Sequence, residues 1–305
     1  MSIKLTILGS SGALPAWGRF PTSQYLNIDN RHILIDCGEG TQMQLMRYQI
    51  PFLRIDHIFI SHLHGDHYLG LMGLLFSMHL QRRTSDLHLH SQKGLDEIIL
   101  LQLKYSSSSL NYNIIFHSFG ASVAHLIHED DTFTVHTIPL IHKLDCAGFL
   151  FREKTKPKKI NKDKLQKGML LQHIAQLKTG ADVHNDDGNI IYRNSDYTLP
   201  PQTPLSYAFC SDTAWNENMI EQIRAADLLY HEATFMEEEK DKAKETKHST
   251  AAEAATIALK AGVRKLLIGH FSARYRELEP LLLEARGIFP NTELAIEGTT
   301  FEAGQ

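Results

Sequence analysis

Short apolar runs, separated by Gly- and Pro-bearing breaks, recur from one end of the chain to the other. The start, Met1 to Leu8, reads as a first strand and not as a signal peptide. A loop, Gly9–Pro15 continuing through Arg19–Ser23, follows it, and Gln24–Ile28 with His32–Ile35 predicts a hairpin about Asp29-Asn30. Thr41–Tyr48 predicts a helix. Ile55–Ile60 is apolar and β-branched, the pattern of a buried strand, and the Leu- and Met-rich stretch from Leu69 to Leu80 predicts a helix after it. Then come a strand at Leu87–His90, a helix at Leu95–Tyr105 and a serine loop, Ser106–Ser109. Further strands are expected at Ile114–Phe116, Phe133–Pro139 and Ala147–Phe151. After a long polar stretch, strand character returns at Leu205–Cys210, Leu228–Tyr230 and Lys265–Ile268. Between the last two lie a charged helical stretch, Glu237–Lys247, and an Ala-rich helix, Ala251–Ala261, with Thr250 and Glu253 spaced as a capping box. Strands that alternate with helices in this way read as an α/β protein.

Composition narrows this only a little. The 305 residues suffice for one large domain or two small ones. A hydrophobic content of 43% and a charged content of 22% are ordinary for a globular chain, and no apolar run approaches the roughly 20 residues of a membrane helix. Cys37, Cys146 and Cys210 are odd in number and far apart, which fits a reducing cytoplasm better than a disulfide framework. Cys37 and Cys210 adjoin acidic strand ends, so thiolate ligation is one reading and buried packing the other. The formal charge of −4 does not announce a nucleic-acid binder. The local charge differs. Arg152–Lys167 carries eight Lys/Arg against Glu153 and Asp163, a balance of +6. Residues 154–204 read as an insertion projecting from the domain: a solvated loop, or a basic arm whose Lys156, Lys158, Lys159, Lys162, Lys164 and Lys167 touch phosphates.

The chemistry concentrates in Ser61-His62-Leu63-His64-Gly65-Asp66-His67, directly after the Ile55–Ile60 strand. Three imidazoles and a carboxylate within six residues make a dense ligand set, and imidazole suits zinc. His62 and His64, two apart, can grip one ion, while Asp66 and His67 project differently and can reach a second. Gly65 is expected to allow a sharp bend between the pairs. A surface histidine cluster without a role is the bland alternative. His142, after the strand near Ile138, can supply a third ligand to the first pair. Asp36 closes a strand before Gly38, where it either supports the site or caps the next turn. Asp212, His231/Glu232 and His270 each stand at a predicted strand end, and the Asp212 carboxylate could bridge two ions. Such recurrence is expected when one sheet edge carries a site.

His-x-His-x-Asp-His resembles the signature of the metallo-β-lactamase superfamily. That resemblance implies an αββα sandwich of two mixed β-sheets flanked by helices, with a dinuclear metal site at one edge. Within the superfamily, the chain resembles the ribonuclease Z family over most of its length. The resemblance rests on Leu8-Gly9-Ser10-Ser11-Gly12, Pro21-Thr22-Ser23, Asp36 to Gln42, and the metal run itself. It continues through Ser211-Asp212-Thr213, His231-Glu232-Ala233-Thr234, His248-Ser249-Thr250 and Gly269 to Tyr275. It implies a single domain over residues 1–305, with 154–204 as an inserted tRNA-binding arm. His62, His64 and His142 would hold one zinc, Asp66, His67 and His270 a second, and Asp212 both, with manganese or iron as possible replacements. Asp36 would hold the metal histidines by hydrogen bonds. Asp66 would accept the proton of the attacking water, His248 would give one to the leaving oxygen, and Glu232 would orient His248. The implied activity is endonucleolytic removal of the 3′ trailer of precursor tRNA, leaving a 3′-hydroxyl on the tRNA and a 5′-phosphate on the trailer. A cytoplasmic homodimer with no membrane contact and no other protein partner is implied as well. One departure stands out. The family's Gly-Pro-rich arm pattern is replaced here by Leu165-Gln166-Lys167-Gly168-Met169-Leu170-Leu171-Gln172-His173, although Gln176–Val183 resembles the arm's usual ending.

Two other readings share these residues. A small-molecule phosphodiesterase, arylsulfatase or lactonase of the same fold would use the same ligands but would need no basic arm. A non-catalytic RNA-binding protein would have little use for two intact metal sites.

Overall fold

Residues 3–304 are described by a computed structural model; Met1 and Ser2, the first residues of the expected opening strand, lie outside them. Glu153–Pro204 forms one compact unit, and the rest of the described chain, before and after it, forms the other.

The larger unit is built on two seven-stranded mixed sheets. The first takes β1 (Ile3–Gly9), β2 (Ser23–Ile28), β3 (Arg31–Cys37), β4 (Ile55–Phe59), β5 (Leu87–Ser91) and β6 (Ile114–Ser118), with β16 (Thr300–Glu302) beside β1. The second takes β7 (Leu126–Glu129), β8 (Phe133–Pro139), β9 (Ala147–Glu153), β12 (Ser206–Cys210), β13 (Leu228–Glu232), β14 (Leu266–Gly269) and β15 (Thr292–Leu294). Strands β3 to β6 run parallel, as do β12 to β15. Central strands such as β12, β13 and β14 are buried at every residue, which is why they read as unbroken apolar runs rather than alternating ones.

Three apolar layers hold this unit together. Phe59, Phe133, Phe149, Phe151, Phe209, Tyr207 and Tyr230 fill the space between the sheets. Helices Thr41–Arg47, Leu71–Leu80 and Leu95–Tyr105 cover the outer face of the first sheet through Leu45, Leu74, Leu75, Met78 and Ile99. Helices Ala251–Ala261 and Glu279–Arg286 cover the second through Ala254, Ala255, Ala258, Leu281 and Ala285. The expected Thr250–Glu253 capping box is formed, and Gly262 ends that helix in the left-handed region. The architecture is thus the expected αββα sandwich.

Several elements differ from expectation. The metal run is not wholly a loop: Gly65–Tyr68 is a short helix. Gly65 has no left-handed φ, so the turn does not depend on its conformational freedom. The left-handed residues of this region are instead Asp36, at φ 53°, and His270, at φ 59°. The charged stretch splits into a 3-10 turn, Glu237–Glu239, and a helix, Lys240–Thr246. Strands β7, β15 and β16 and the helix Glu279–Arg286 are additions to the expected set.

The smaller unit has its own miniature core. Helix Leu171–Lys178 packs with the hairpin of β10 (Val183–His184) and β11 (Ile190–Tyr192) and a short helix, Asn194–Tyr197. Leu177, Val183 and Asn194 are buried. Asn194 ties the unit together: its backbone N–H donates to Asp182 at 2.6 Å, its side-chain amide donates to the Leu177 carbonyl, and its amide oxygen accepts from Lys158 Nζ at 2.6 Å.

Arg152 in β9 stands opposite Ser206 in β12, in antiparallel register. The two ends of the insertion therefore leave the larger unit side by side. Replacing residues 154–204 by a four-residue Gly-containing turn should leave that unit folded, with a melting temperature within a few degrees of the intact chain's, as read by circular dichroism.

Candidate metal centre

Parallel strands deliver the site. Asp36 lies near the C-terminal end of β3, and the metal run follows β4. Asp212, Glu232 and His270 stand at or just after the ends of β12, β13 and β14. His142 follows β8. One edge of the sandwich thus gathers side chains spread over more than 230 positions, the usual place for a site in such sheets.

Asp36 is fully buried, and each of its oxygens has a donor. Oδ1 accepts from the Ser61 backbone N–H at 2.7 Å. Oδ2 accepts from Ser61 Oγ at 2.8 Å and from His67 Nδ1 at 2.7 Å. The turn-cap alternative does not describe this carboxylate, which grips the start of the metal run and turns His67 Nε2 away from itself.

Two groups of candidate ligands converge, and Asp212 belongs with both. His62, His64, His142 and Asp212 form the first. His62 Nε2 lies 3.0 Å from His64 Nδ1, which lies 3.1 Å from His142 Nε2. Asp212 Oδ2 stands 3.6 Å from His62 Nε2 and 3.7 Å from His142 Nε2. Asp66, His67 and His270 form the second group. Asp66 Oδ2 lies 3.4 Å from His67 Nε2 and 3.5 Å from His270 Nε2. Asp212 Oδ1 lies 3.4 Å from His67 Nε2 and 3.2 Å from His270 Nε2. One carboxylate thus presents one oxygen to each group.

The far sides of these rings are held by neighbours that residue type alone does not reveal. His142 Nδ1 donates to the Lys247 carbonyl at 2.9 Å, and His270 Nδ1 pairs with Thr234 Oγ1 at 2.8 Å. His62 Nδ1 meets Ser61 Oγ at 3.0 Å and the Cys146 thiol at 3.5 Å. The Ala13 backbone N–H donates to Asp66 Oδ2 at 2.8 Å. Gly12 allows a close approach to the site, since a Cβ there would stand 2.6 Å from His270 Cε1.

These residues fit a metal ion. The Nε2 atoms of His67 and His270 are buried without a hydrogen-bond partner, and both face the Asp66 and Asp212 oxygens. Burial alone would raise the carboxyls of Asp66 and Asp212, but the surrounding imidazoles overturn it and hold both well below the ordinary range. Burial would likewise lower His67, yet Asp212, Asp66 and Asp36 raise it well above an ordinary histidine. The second group is thus a carboxylate-rich pocket that favours positive charge, and the donors are the imidazole and carboxylate that zinc, manganese and iron accept. Cys37 and Cys210 are buried thiols outside every candidate metal group among the described residues, and burial pushes Cys37 up to about 12. The thiolate-ligand reading is thereby excluded for both. His231 also stays outside: it is buried and pairs with its neighbour's carbonyl at 2.7 Å.

Beside the centre sits a carboxylate–imidazole pair. Glu232, fully buried, holds His248 Nδ1 at 2.8 Å through Oε1, which also accepts from the Thr213 N–H at 2.9 Å. Its Oε2 accepts from the Thr234 N–H at 3.1 Å. Burial would lower His248, but Glu232 outweighs it and raises the ring to about 9. His248 lines a cleft of about 430 Å³ with His64, Asp66, His142, Asp212 and His270. It also lines an adjoining cavity of about 920 Å³ with Trp215, Lys240 and Lys244.

Comparison with known proteins shows the family. A ribonuclease Z of Bacteroides fragilis strain YCH46 is 48% identical over 96% of this chain and 97% of its own length. A ribonuclease Z of Cytophaga hutchinsonii is 47% identical over 99% of the chain and 96% of its own. The chain belongs to the ribonuclease Z family. Among solved structures, human tRNase Z, short form, superposes with a TM-score of 0.73 at 25% identity, covering 99% of this chain and all of that one. The metallo-β-lactamase fold protein YhfI of Bacillus subtilis shares the fold, with a TM-score of 0.69 at 19% identity over 99% of this chain and all of its own. A family model described as anti-Pycsar protein Apyc1 also matches, over residues 3–155. That span ends before Asp212, Glu232, His248 and His270, so it holds the metal run and His142 but not the rest of the candidate site.

Because Asp36 fixes His67 and the start of the run together, Asp36→Ala should weaken zinc binding by about 10–100-fold, as read by competition with a chromogenic chelator.

Proposed function

We propose that this protein is a zinc-dependent endoribonuclease that removes the 3′ trailer from precursor tRNA. The observation that carries the reading is the Glu232–His248 pair, held at 2.8 Å on the wall of the cleft that the metal groups line. His62, His64 and His142 would hold one ion, Asp66, His67 and His270 the other, and Asp212 both. Bound there, two divalent cations would neutralise charge on a phosphodiester and lower the pKa of an attacking water from about 15.7 towards 7.

The chain's own groups supply the rest. Asp66, ionised and aimed by the Ala13 N–H, accepts the proton of the attacking water. His248, kept protonated by Glu232, gives a proton to the departing 3′ oxygen, a contribution of about 10²–10⁴-fold for such an acid. The products are a tRNA 3′-hydroxyl and a trailer with a 5′-phosphate. In-line displacement puts the nucleoside that keeps the 3′ oxygen on the His248 side. There Lys240 is paired with Glu237 at 2.7 Å, but the larger cavity offers the Trp215 ring and the Lys244 ammonium group, a wall suited to a base and a phosphate. A small ester would leave that wall unused.

In the insertion, Lys159, Lys162, Lys164 and Lys167 are exposed, whereas Lys156 and Lys158 are half-buried and Lys158 is engaged with Asn194. The four exposed residues are the stronger candidates for phosphate contact. A homodimer belongs to the reading, and Leu101 and Tyr105, both exposed and four apart on one helix, offer apolar surface for it. A cytoplasmic location suits three free buried thiols. Among the described residues no helix is long and apolar enough to cross a membrane.

The decisive experiment is cleavage of a precursor tRNA that carries a 3′ trailer. The intact protein should cut it after the discriminator base and His64→Ala should be inactive. A deletion of 154–204 should still hydrolyse a small bis-substituted phosphodiester but lose the precursor. Hydrolysis of the small ester by the intact protein, with the precursor left whole, would overturn the RNA reading and favour a small-molecule hydrolase.

The pH profile tests the acid. A group raised to about 9 is protonated below that pH, so its donation fails as pH rises through it. Bound cations would lower this pKa, while Glu232 holds it up. Glu232→Gln should therefore move the alkaline limb of the rate profile to lower pH, towards the ordinary histidine value of about 6.5. An unmoved limb would remove His248 from the role.

A further inference from the structure

A second set of histidines lies away from the metal run. His57 stands in β4, His88 and His90 in β5, His117 in β6 and His128 in β7. β6 and β7 are edge strands of the two different sheets, so the set occupies the flank where both sheets end. His57 and His90 point inward with Phe59, an inter-sheet core residue that stacks on His90 with ring centroids 4.2 Å apart. His128 reaches across from the other sheet, its ring 4.3 Å from that of His57 and 5.0 Å from the core ring of Phe133.

We propose that His57, His90 and His128 form a further metal site, for a divalent d-block cation such as zinc, nickel or copper, that ties the two sheets together along this flank. One ring nitrogen of each lies within 4.8 Å of the other two. His57 Nδ1 and His90 Nε2 are 3.2 Å apart. Two imidazole nitrogens each about 2.0–2.1 Å from one tetrahedral ion stand roughly 3.3–3.4 Å apart, so this pair already has the span of two ligands. The candidate catalytic histidines His62, His64 and His142 show neighbouring spans of 3.0 and 3.1 Å. His128 Nε2 is buried with no hydrogen-bond partner, although a buried imidazole nitrogen ordinarily has one.

The chemistry of the donors selects the cation. No carboxylate belongs to the group, and an imidazole-only set favours zinc, nickel or copper over magnesium, calcium or manganese. The rings are neutral and keep a lone pair each: burial first, and then the neighbouring histidines, push His57 down to about 3 and His90 to about 2, and burial lowers His128. Arg31, the nearby positive charge, is itself paired with Asp130 at 3.3 Å and Asp131 at 2.7 Å. His57 and His128 are only half-buried, which leaves an ion a way in.

The test counts ions and uses no RNA, so it stands or falls apart from the ribonuclease reading. The intact protein and His57→Gln/His128→Gln are loaded with zinc, freed of excess by gel filtration and analysed by plasma mass spectrometry. The intact protein should retain one zinc per chain more than the double variant, while both hydrolyse a small phosphodiester at the same rate. His128→Gln alone, at a half-exposed edge position, should lose the same equivalent. In an Asp212→Ala background, where the candidate catalytic centre is weakened, zinc should still raise the melting temperature, and the added His57→Gln/His128→Gln changes should reduce that shift. Equal zinc in the intact protein and both variants would overturn the proposal. His57–His90, and His88–His117 at 2.9 Å, would then be imidazole–imidazole hydrogen bonds that serve packing alone.

Discussion

A carboxylate taken out of water needs compensation from every side, and the candidate centre is arranged around that need. Asp36 has no contact with solvent, and three donors from one short segment converge on it: the Ser61 N–H, the Ser61 hydroxyl and the His67 ring. The backbone of Asp36 is left-handed, a conformation that disfavours most side chains and that this network holds in place. Through these bonds the end of β3 fixes the turn after β4. His62, His64 and Asp66 follow from that turn by chain connectivity. The second sheet repeats the device with Glu232, whose oxygens collect the Thr213 N–H, the Thr234 N–H and the His248 ring. Each sheet thus carries one buried carboxylate that does structural work beside a site of other carboxylates. Thr234 links the two roles, because its hydroxyl also reaches the His270 ring.

Much of this was legible in the sequence, for identifiable reasons. The central strands are buried on both faces and so appear as continuous apolar runs. The metal run packs its donors into consecutive positions, so residue type alone exposes it. The Thr250–Glu253 spacing marks a helix start by a local hydrogen-bond rule. What stayed hidden depends on contacts made at long range or by the backbone. Strands β7, β15 and β16 have four residues or fewer and take their shape from a neighbour rather than from their own pattern. The helix Glu279–Arg286 carries Pro280 in its first turn, where proline is at home although it reads as a break. The Lys247 carbonyl and the Ala13 N–H carry no residue-type signal at all. The bend expected at Gly65 needs no left-handed residue: extended His64 gives way there to the short helix Gly65–Tyr68, a start that residue type does not mark.

The insertion leaves and re-enters at Arg152 and Ser206, which already face one another across a β ladder. Closing a loop between points that touch carries an entropic cost that grows only logarithmically, about 0.6 kcal/mol for each doubling of its length. An insertion half as long or twice as long would therefore weigh almost equally on the sandwich. Chain length at this position is close to a free variable. A segment here can be lengthened, trimmed or rewritten without drawing on the stability that keeps the opposite ends of the strands in order.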